Sequence, residues 1–274
     1  MANWDHLVLL TKGAPLWNEW RDRYRIQPDL SGINLSKLDL SRFNLSHANF
    51  TRADLSLTNL QGCQLQLANM TRTNLIGAQL AGADLRWATL ISSRLIGAQM
   101  MAANLAGAAL LGANLNHADL VEANLLCADL SRADCAEALF TGANLKQTKL
   151  TETNFYRANL ERTDLRRVNA RGANLIEATL LSAYVSDANF IGALLINTRL
   201  DPDQIQQLGF DAVQQGAILT GTGADGAALD GETQLGDGTV SWGDLPIDLP
   251  AEDLPPTWGQ FPLVDDLLQR EQSL

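Results

Sequence analysis

The sequence predicts an all-β solenoid, and three observations carry the prediction. An apolar residue recurs at every fifth position from Leu30 to Leu200, 35 places without an insertion or deletion, and 26 of them are Leu. The exceptions, Phe50, Met70, Met100, Cys135, Phe140, Phe155, Ala170, Val185 and Phe190, are all apolar. The residue two places earlier is Ala in 22 of the 35 pentads, and the one between is Asn or Asp in 23, so the unit is A-(N/D)-L-x-x. None of these 70 central and second-preceding positions holds Asp, Glu, Lys or Arg, although a chain that is 19% charged would put about 13 there. Burial explains the exclusion, because an unpaired ion in an apolar core costs far more than a fold can offset.

A period of five fits neither regular element. On a helix each successive Leu would rotate by ~140° and smear around the surface, and on a straight strand it would change face every time. The pattern is satisfied when each pentad is a short extended piece followed by a corner. The central residue and the one two before it share a face and point inward together. The chain then winds into coils.

At this point residues 28–200 resemble the pentapeptide-repeat family, on the 35 in-register A-(N/D)-L-x-x pentads. The resemblance implies a right-handed quadrilateral β-helix with four pentads per coil, hence about nine coils, and the residues before the repeat add a short helical N-terminal cap. At the ~4.8 Å spacing of paired strands nine coils rise roughly 40 Å. Stacking every 20 residues puts Glu137, Arg157 and Glu177 on one column with alternating sign, and Arg132 beneath Glu152. It also sets small centres beside large ones: Cys135 next to Phe140 and under Phe155, and Ala170 under Phe190.

The elements follow in order. Residues 1–27 are expected to form a helical cap on the first coil, with a short helix from Trp4 to Lys12 and a second opened by Pro15. On the second, Leu16, Trp17, Trp20 and Tyr24 are expected to share the packed side, and an aromatic partner-binding surface is the alternative use of Trp17, Trp20 and Tyr24. Residues 28–200 are the repeat. Residues 201–219 are expected to cap the far end, with Asp201 and Pro202 starting a helix whose Ile205 and Leu208 fold back onto the last coil. Residues 220–274 turn to Gly, Pro, Asp and Thr and read as an extended tail, with Trp242, Trp258 and Phe261 as apolar contacts and a short helix over 262–269.

Charge follows the same division. Residues 28–200 hold 14 acids and 15 bases, whereas 201–274 hold 14 acids and a single base, Arg270, so the net −11 of the 274-residue chain belongs to its end. The N-terminal segment lacks a basic start and a long apolar run, and no stretch reaches the ~18 apolar residues of a membrane span. The three cysteines, Cys63, Cys127 and Cys135, are unpaired in number and lack zinc-site spacing. Both features predict a cytoplasmic protein in a reducing compartment, with no membrane.

Motifs that carry chemistry are sparse. Residues 221–226 match G-x-G-x-x-G without the strand and helix that a nucleotide site needs, and half-match a calcium nonapeptide that works only in tandem copies. His6, His47 and His117 fall far apart, the last two 70 residues or three and a half coils from each other on opposite sides. No catalytic set, cofactor site or metal site is assembled, so the chain is expected not to be an enzyme. One exterior cluster stands out: Lys146, Lys149, Arg157, Arg162, Arg166, Arg167 and Arg171, set against Glu152, Glu161 and Asp164, with Arg86 and Trp87 lower on one side. It is a candidate interaction patch for an acidic partner, phosphate or the acidic tail.

These features predict a non-catalytic structural or protein-interaction scaffold that presents flat β-helix faces, with a protein partner and weak self-association. The family resemblance implies an alternative, a DNA mimic acting on DNA gyrase, but mimicry needs a strongly negative surface and the repeat sums to +1. Nucleic-acid binding through the basic patch is a weaker alternative and would be salt-sensitive.

Overall fold

The computed structural model describes residues 3–24, 26–201, 204 and 218–220. The chain divides into two compact units, Met1–Leu229 and Asp230–Leu274, and all described residues lie in the first. From Asp29 to Arg199 the outward Asn/Asp-type residue of every pentad forms a parallel bridge with the residue 20 later, as in Asn104 with Asn124 and Asn124 with Asn144. Four pentads therefore make one coil. Pairing is confined to one residue per side, with a turn between, so the sides are shorter than conventional strands.

Two backbone hydrogen bonds hold each side to the next coil. The central N–H donates upward, Leu105 to the Asn124 carbonyl at 2.7 Å, and the outward N–H donates downward, Asn124 to the Ala103 carbonyl at 2.9 Å. Corners close by a bond from the next Ala N–H to the central carbonyl, Ala108 to Leu105 at 2.9 Å. The second corner residue is left-handed in every pentad from Gly32 to Asn197, including bulky residues such as Trp87 at φ 60°.

The Asn/Asp preference has a local cause. Its side-chain oxygen accepts the backbone N–H two residues on, Asp119 from Val121 at 3.0 Å and Asn124 from Leu126 at 3.2 Å, which turns the chain into the corner. The same amides ladder between coils: Asn144 Nδ2 donates to Asn124 Oδ1 at 3.1 Å, and Asn124 Nδ2 to Asn104 Oδ1 at 3.2 Å.

Every central residue from Leu30 to Leu200 is buried. Phe140 and Phe155 meet edge to face with centroids 5.6 Å apart, beside the small Cys135. Thr at the second-preceding position satisfies its hydroxyl by donating to a central carbonyl, as Thr148 does to Leu125 at 2.9 Å. The inward assignment fails at three second-preceding positions. Leu38 is 43% exposed, and Ile33 and Ala188 are half-buried. Ile33 and Leu38 belong to the first coil, which has no coil beneath it, and the cap reaches only its other two sides.

That cap consists of α1 (Trp4–Leu10) and α2 (Ala14–Arg23). Asn3 caps α1 by accepting the Asp5 N–H, and Pro15 stands in the first turn of α2. On the Asp29 side, the Asn3 N–H donates to the Asp29 carbonyl at 2.9 Å and His6 Nδ1 accepts the Asp29 N–H at 3.1 Å. On the Asn44 side, Trp17 Nε1 donates to the Asn44 carbonyl at 2.7 Å and Asn18 Oδ1 accepts the Asn44 N–H at 2.8 Å. Arg21 completes that side by donating to the Ser46 and Ile26 carbonyls. The Asn3 N–H and the His6, Trp17, Asn18 and Arg21 side chains thus replace the missing lower coil on these two sides.

Leu16 does not share the packed side of α2. It is 50% exposed while Trp17 is fully buried, because one step along a helix turns a side chain by ~100°. Tyr24 follows the last helical residue in extended geometry and is half in solvent, though its ring still adjoins Trp20 at 6.4 Å.

At the far end residues after Leu200 close the eighth coil the same way, where the ninth is incomplete. The Asp201 carboxylate accepts the Ser182 N–H, and Gln204 Nε2 donates to the Leu180 and Ala183 carbonyls at 2.8 and 2.7 Å. Strand β1 (Leu194–Ile196) pairs in parallel with β2 (Ile218–Thr220), Leu194 opposite Ile218. Pro202, Ile205, Leu208, the G-x-G-x-x-G stretch and the tail with its expected 262–269 helix lie outside the described residues.

Candidate interaction surfaces

Because the inward positions are filled, the outward Asn/Asp column and the two corner residues of each pentad carry the surface chemistry. Corners stack in four columns of 20-residue period. Lys146, Arg166 and Arg167 share one corner, Lys149 stands on the adjoining side, and Arg171 lies at the next corner beyond it. Arg162 and Arg157 occupy the remaining two corners, so the seven bases of the candidate patch encircle the coils and do not form one face.

Most of them are also neutralised. Arg166 grips Asp164 with two bonds, Nε to Oδ1 at 2.8 Å and Nη2 to Oδ2 at 2.6 Å, and its guanidinium sits 5.8 Å from the Tyr184 ring centroid. These bonds hold the Asp164 carboxyl below the usual carboxylate range. Arg167 reaches Asp187 at 3.4 Å, Lys149 reaches Asp129 at 3.6 Å, and Arg157 binds Glu177 at 2.6 Å while lying over Tyr156. Arg132 pairs with Glu152 at 2.9 Å, one coil away as the stacking predicts. Arg86 repeats the Arg166 arrangement with Asp84 at 2.7 Å. Among the described residues no acid stands within ion-pair distance of Lys146, Arg162 or Arg171.

The other singled-out residues are separated. His6 accepts from the first coil, and His117 approaches Glu137 at 3.4 Å. Cys63 and Cys135 are buried; burial pushes the Cys63 thiol up to about 12 and the Cys135 thiol well above its ordinary value. Cys127 is exposed, its Sγ 3.7 Å from Gln147 Oε1. Among the described residues no cluster of His, Cys, Asp and Glu could hold a metal ion, and no helix is long and apolar enough to cross a membrane. The cap aromatics divide in role: Trp17 is a buried plug, while Trp20 bridges it at 5.2 Å to His6 at 5.3 Å.

A different feature escaped the sequence reading. A cavity of about 900 Å³ opens beside α1, along the corner column that bears Arg52 and Arg72. The signal was present, since Arg52 and Arg72 are 20 residues apart, but only the position of α1 turns that corner into a groove.

The model of the family described as pentapeptide repeats matches in eight copies, over residues 29–66, 68–105, 98–134, 128–167, 153–192 and 164–201. The chain belongs to the pentapeptide-repeat family. Solved pentapeptide-repeat structures are similar to it. HetL, from the cyanobacterium Nostoc sp. and involved in heterocyst differentiation regulation, is 28% identical; the match covers 70% of this chain and 96% of HetL, with a TM-score of 0.35. A trypsin-treated form of QnrB1, a plasmid-mediated fluoroquinolone resistance protein, is 16% identical over 65% of this chain and 94% of that one, with a TM-score of 0.33. A pentapeptide-repeat protein of the Arabidopsis thaliana thylakoid lumen is 29% identical over 48% and 76% of the two chains, at a TM-score of 0.21. Among functionally curated proteins none matches.

Proposed function

We propose that this pentapeptide-repeat protein is a non-catalytic scaffold that presents the faces of a right-handed quadrilateral β-helix to a protein partner. The hand and the square section are those that family membership implies. One observation carries the functional reading: all 35 central side chains are sealed inside, so chemistry is left to outward side chains fixed on a 20-residue lattice. Such a lattice suits recognition, because its backbone is fixed before binding and little backbone entropy is lost on contact. The ion pairs of Arg157, Arg166 and Arg167 weigh against anion or nucleic-acid capture by the basic residues, and the near-neutral repeat weighs against mimicry of DNA. Free thiols at Cys63, Cys127 and Cys135 support a reducing, cytoplasmic setting.

Affinity capture from a cell extract, followed by chemical cross-linking and mapping of the linked residues, tests the reading. The expected result is a partner present in stoichiometric amount and linked to outward positions of residues 28–200. Turnover of a substrate by the purified chain would replace the reading with an enzymatic one. Inhibition of gyrase supercoiling at micromolar protein would replace it with mimicry. Weak self-association through the same faces would show as concentration-dependent sedimentation.

A further inference from the structure

The groove beside α1 combines three features found together nowhere else among the described residues. Its apolar lining comes from Trp4, Leu7, Ile33 and Ile91, and Trp4 is 76% exposed, a large aromatic area left in water. Its charged wall is Arg52 and Arg72, both exposed, both left-handed at φ 59° and 57°, and therefore aimed alike from successive coils ~4.8 Å apart. Further along the same corner Arg132 is matched by Glu152, one coil on. Among the described residues Arg52 and Arg72 have no acid within ion-pair distance, so two like charges are held side by side. At the foot of the groove, the Asn34 N–H and carbonyl have no hydrogen-bond partner among the described residues, since the cap covers only the Asp29 and Asn44 sides.

An open sheet edge offers main-chain pairing to an extended chain, the apolar lining offers a seat for a side chain, and the paired guanidiniums demand carboxylates. A simple inorganic anion would leave the apolar lining unused. A nucleic acid would find only two cations and a free indole. We propose that this groove binds an extended acidic peptide segment of a partner protein, with an apolar side chain against Trp4 and Ile91 and carboxylates on Arg52 and Arg72. The inference rests on the scaffold reading and adds to it the place and chemistry of the contact.

The test uses the full chain and a fluorescein-labelled peptide, Glu-Leu-Glu-Trp-Glu-Leu, followed by anisotropy. A Glu hexamer without apolar anchors and a single-stranded DNA oligonucleotide run in parallel. The anchored peptide is expected to bind, to weaken with salt, and to lose about tenfold in Kd on Arg52→Glu and on Trp4→Ala. Glu already occupies the equivalent left-handed corner place at Glu122, Glu137, Glu152 and Glu177, so Arg52→Glu leaves the coil intact. Trp4 is mostly in solvent, so its loss spares the core. Unchanged Kd in both variants, no binding by the parent chain, or equal binding of the Glu hexamer or the oligonucleotide would overturn the proposal. Cross-links from a captured partner to corners away from Arg52 and Arg72 would then leave the scaffold reading standing.

Discussion

Gly107 shows how much a single residue decides in a stacked fold. A Cβ added there would lie 2.3 Å from Trp87 Cε3, because the Trp87 indole of the preceding coil rests directly on the glycine. Gly97 shares the left-handed geometry, φ 62° against 69°, with nothing within 4 Å. Gly97→Ala should therefore cost about 1 kcal/mol in denaturant melts, the ordinary left-handed penalty, and Gly107→Ala should cost more. Adding Trp87→Ala should bring Gly107→Ala back to the Gly97→Ala value; if the two glycine variants are equal, the indole seat contributes nothing. Thr148→Val tests a second local device, the hydroxyl bond to the Leu125 carbonyl, and should lose about 1 kcal/mol. At this scale the sequence is only half legible. The recurrence of Asn and Asp was visible, but their oxygens act on a backbone N–H two residues on, which composition does not reveal. The left-handed corners were invisible, since Lys37, Arg52, Trp87 and Glu122 adopt them alongside glycine.

At the scale of elements the informative parts are the ends. In the interior each coil finds its hydrogen-bond partners in the coils on either side, so only the first and last need special residues. Trp17 is the clearest case, fully buried and bonded through Nε1 to the Asn44 carbonyl. Trp17→Ala should cost about 3–5 kcal/mol locally, the usual loss for a buried large aromatic. Hydrogen exchange should then rise at the Leu35, Leu40 and Leu45 amides while the Leu120 and Leu125 amides keep their protection. Uniform loosening along all coils would contradict the neighbour-only coupling. The cap was legible as helix from Pro15 and the aromatic spacing. Which aromatics plug the coil was not, because the angular offset between Leu16 and Trp17 acquires meaning only once the first coil is in place.

For the molecule as a whole, charge is the property that can be titrated. The Ser41 and Ser56 backbone N–H groups hold the Asp39 and Asp54 carboxyls below their ordinary value, and Arg86 and Arg166 do the same for Asp84 and Asp164. A carboxyl depressed on folding stabilises above its unfolded value, about pH 4, and that stabilisation is lost as pH falls through the depressed values. The melting temperature should thus be level from neutral pH to about pH 5 and decline below about pH 4. A melting temperature unchanged in strong acid would sink the assignment. Acid also removes the carboxylates of residues 201–274, which carry 14 of the 31 acids, so the net charge of the chain turns positive over the same interval. What the sequence determined by itself was the period, the inward positions and the segregation of acid to one end, because exclusion of charge from an apolar interior acts on every coil alike. The stacking already pointed to Arg132 with Glu152 and Arg157 with Glu177, but the tertiary structure decided that Arg166 turns back onto Asp164 and that Arg52 and Arg72 have no acid within ion-pair distance among the described residues. The grip of Arg166 on Asp164, and the groove at whose mouth Arg52 stands beside Arg72, follow from corner geometry and the placement of α1, which the repeat period does not contain.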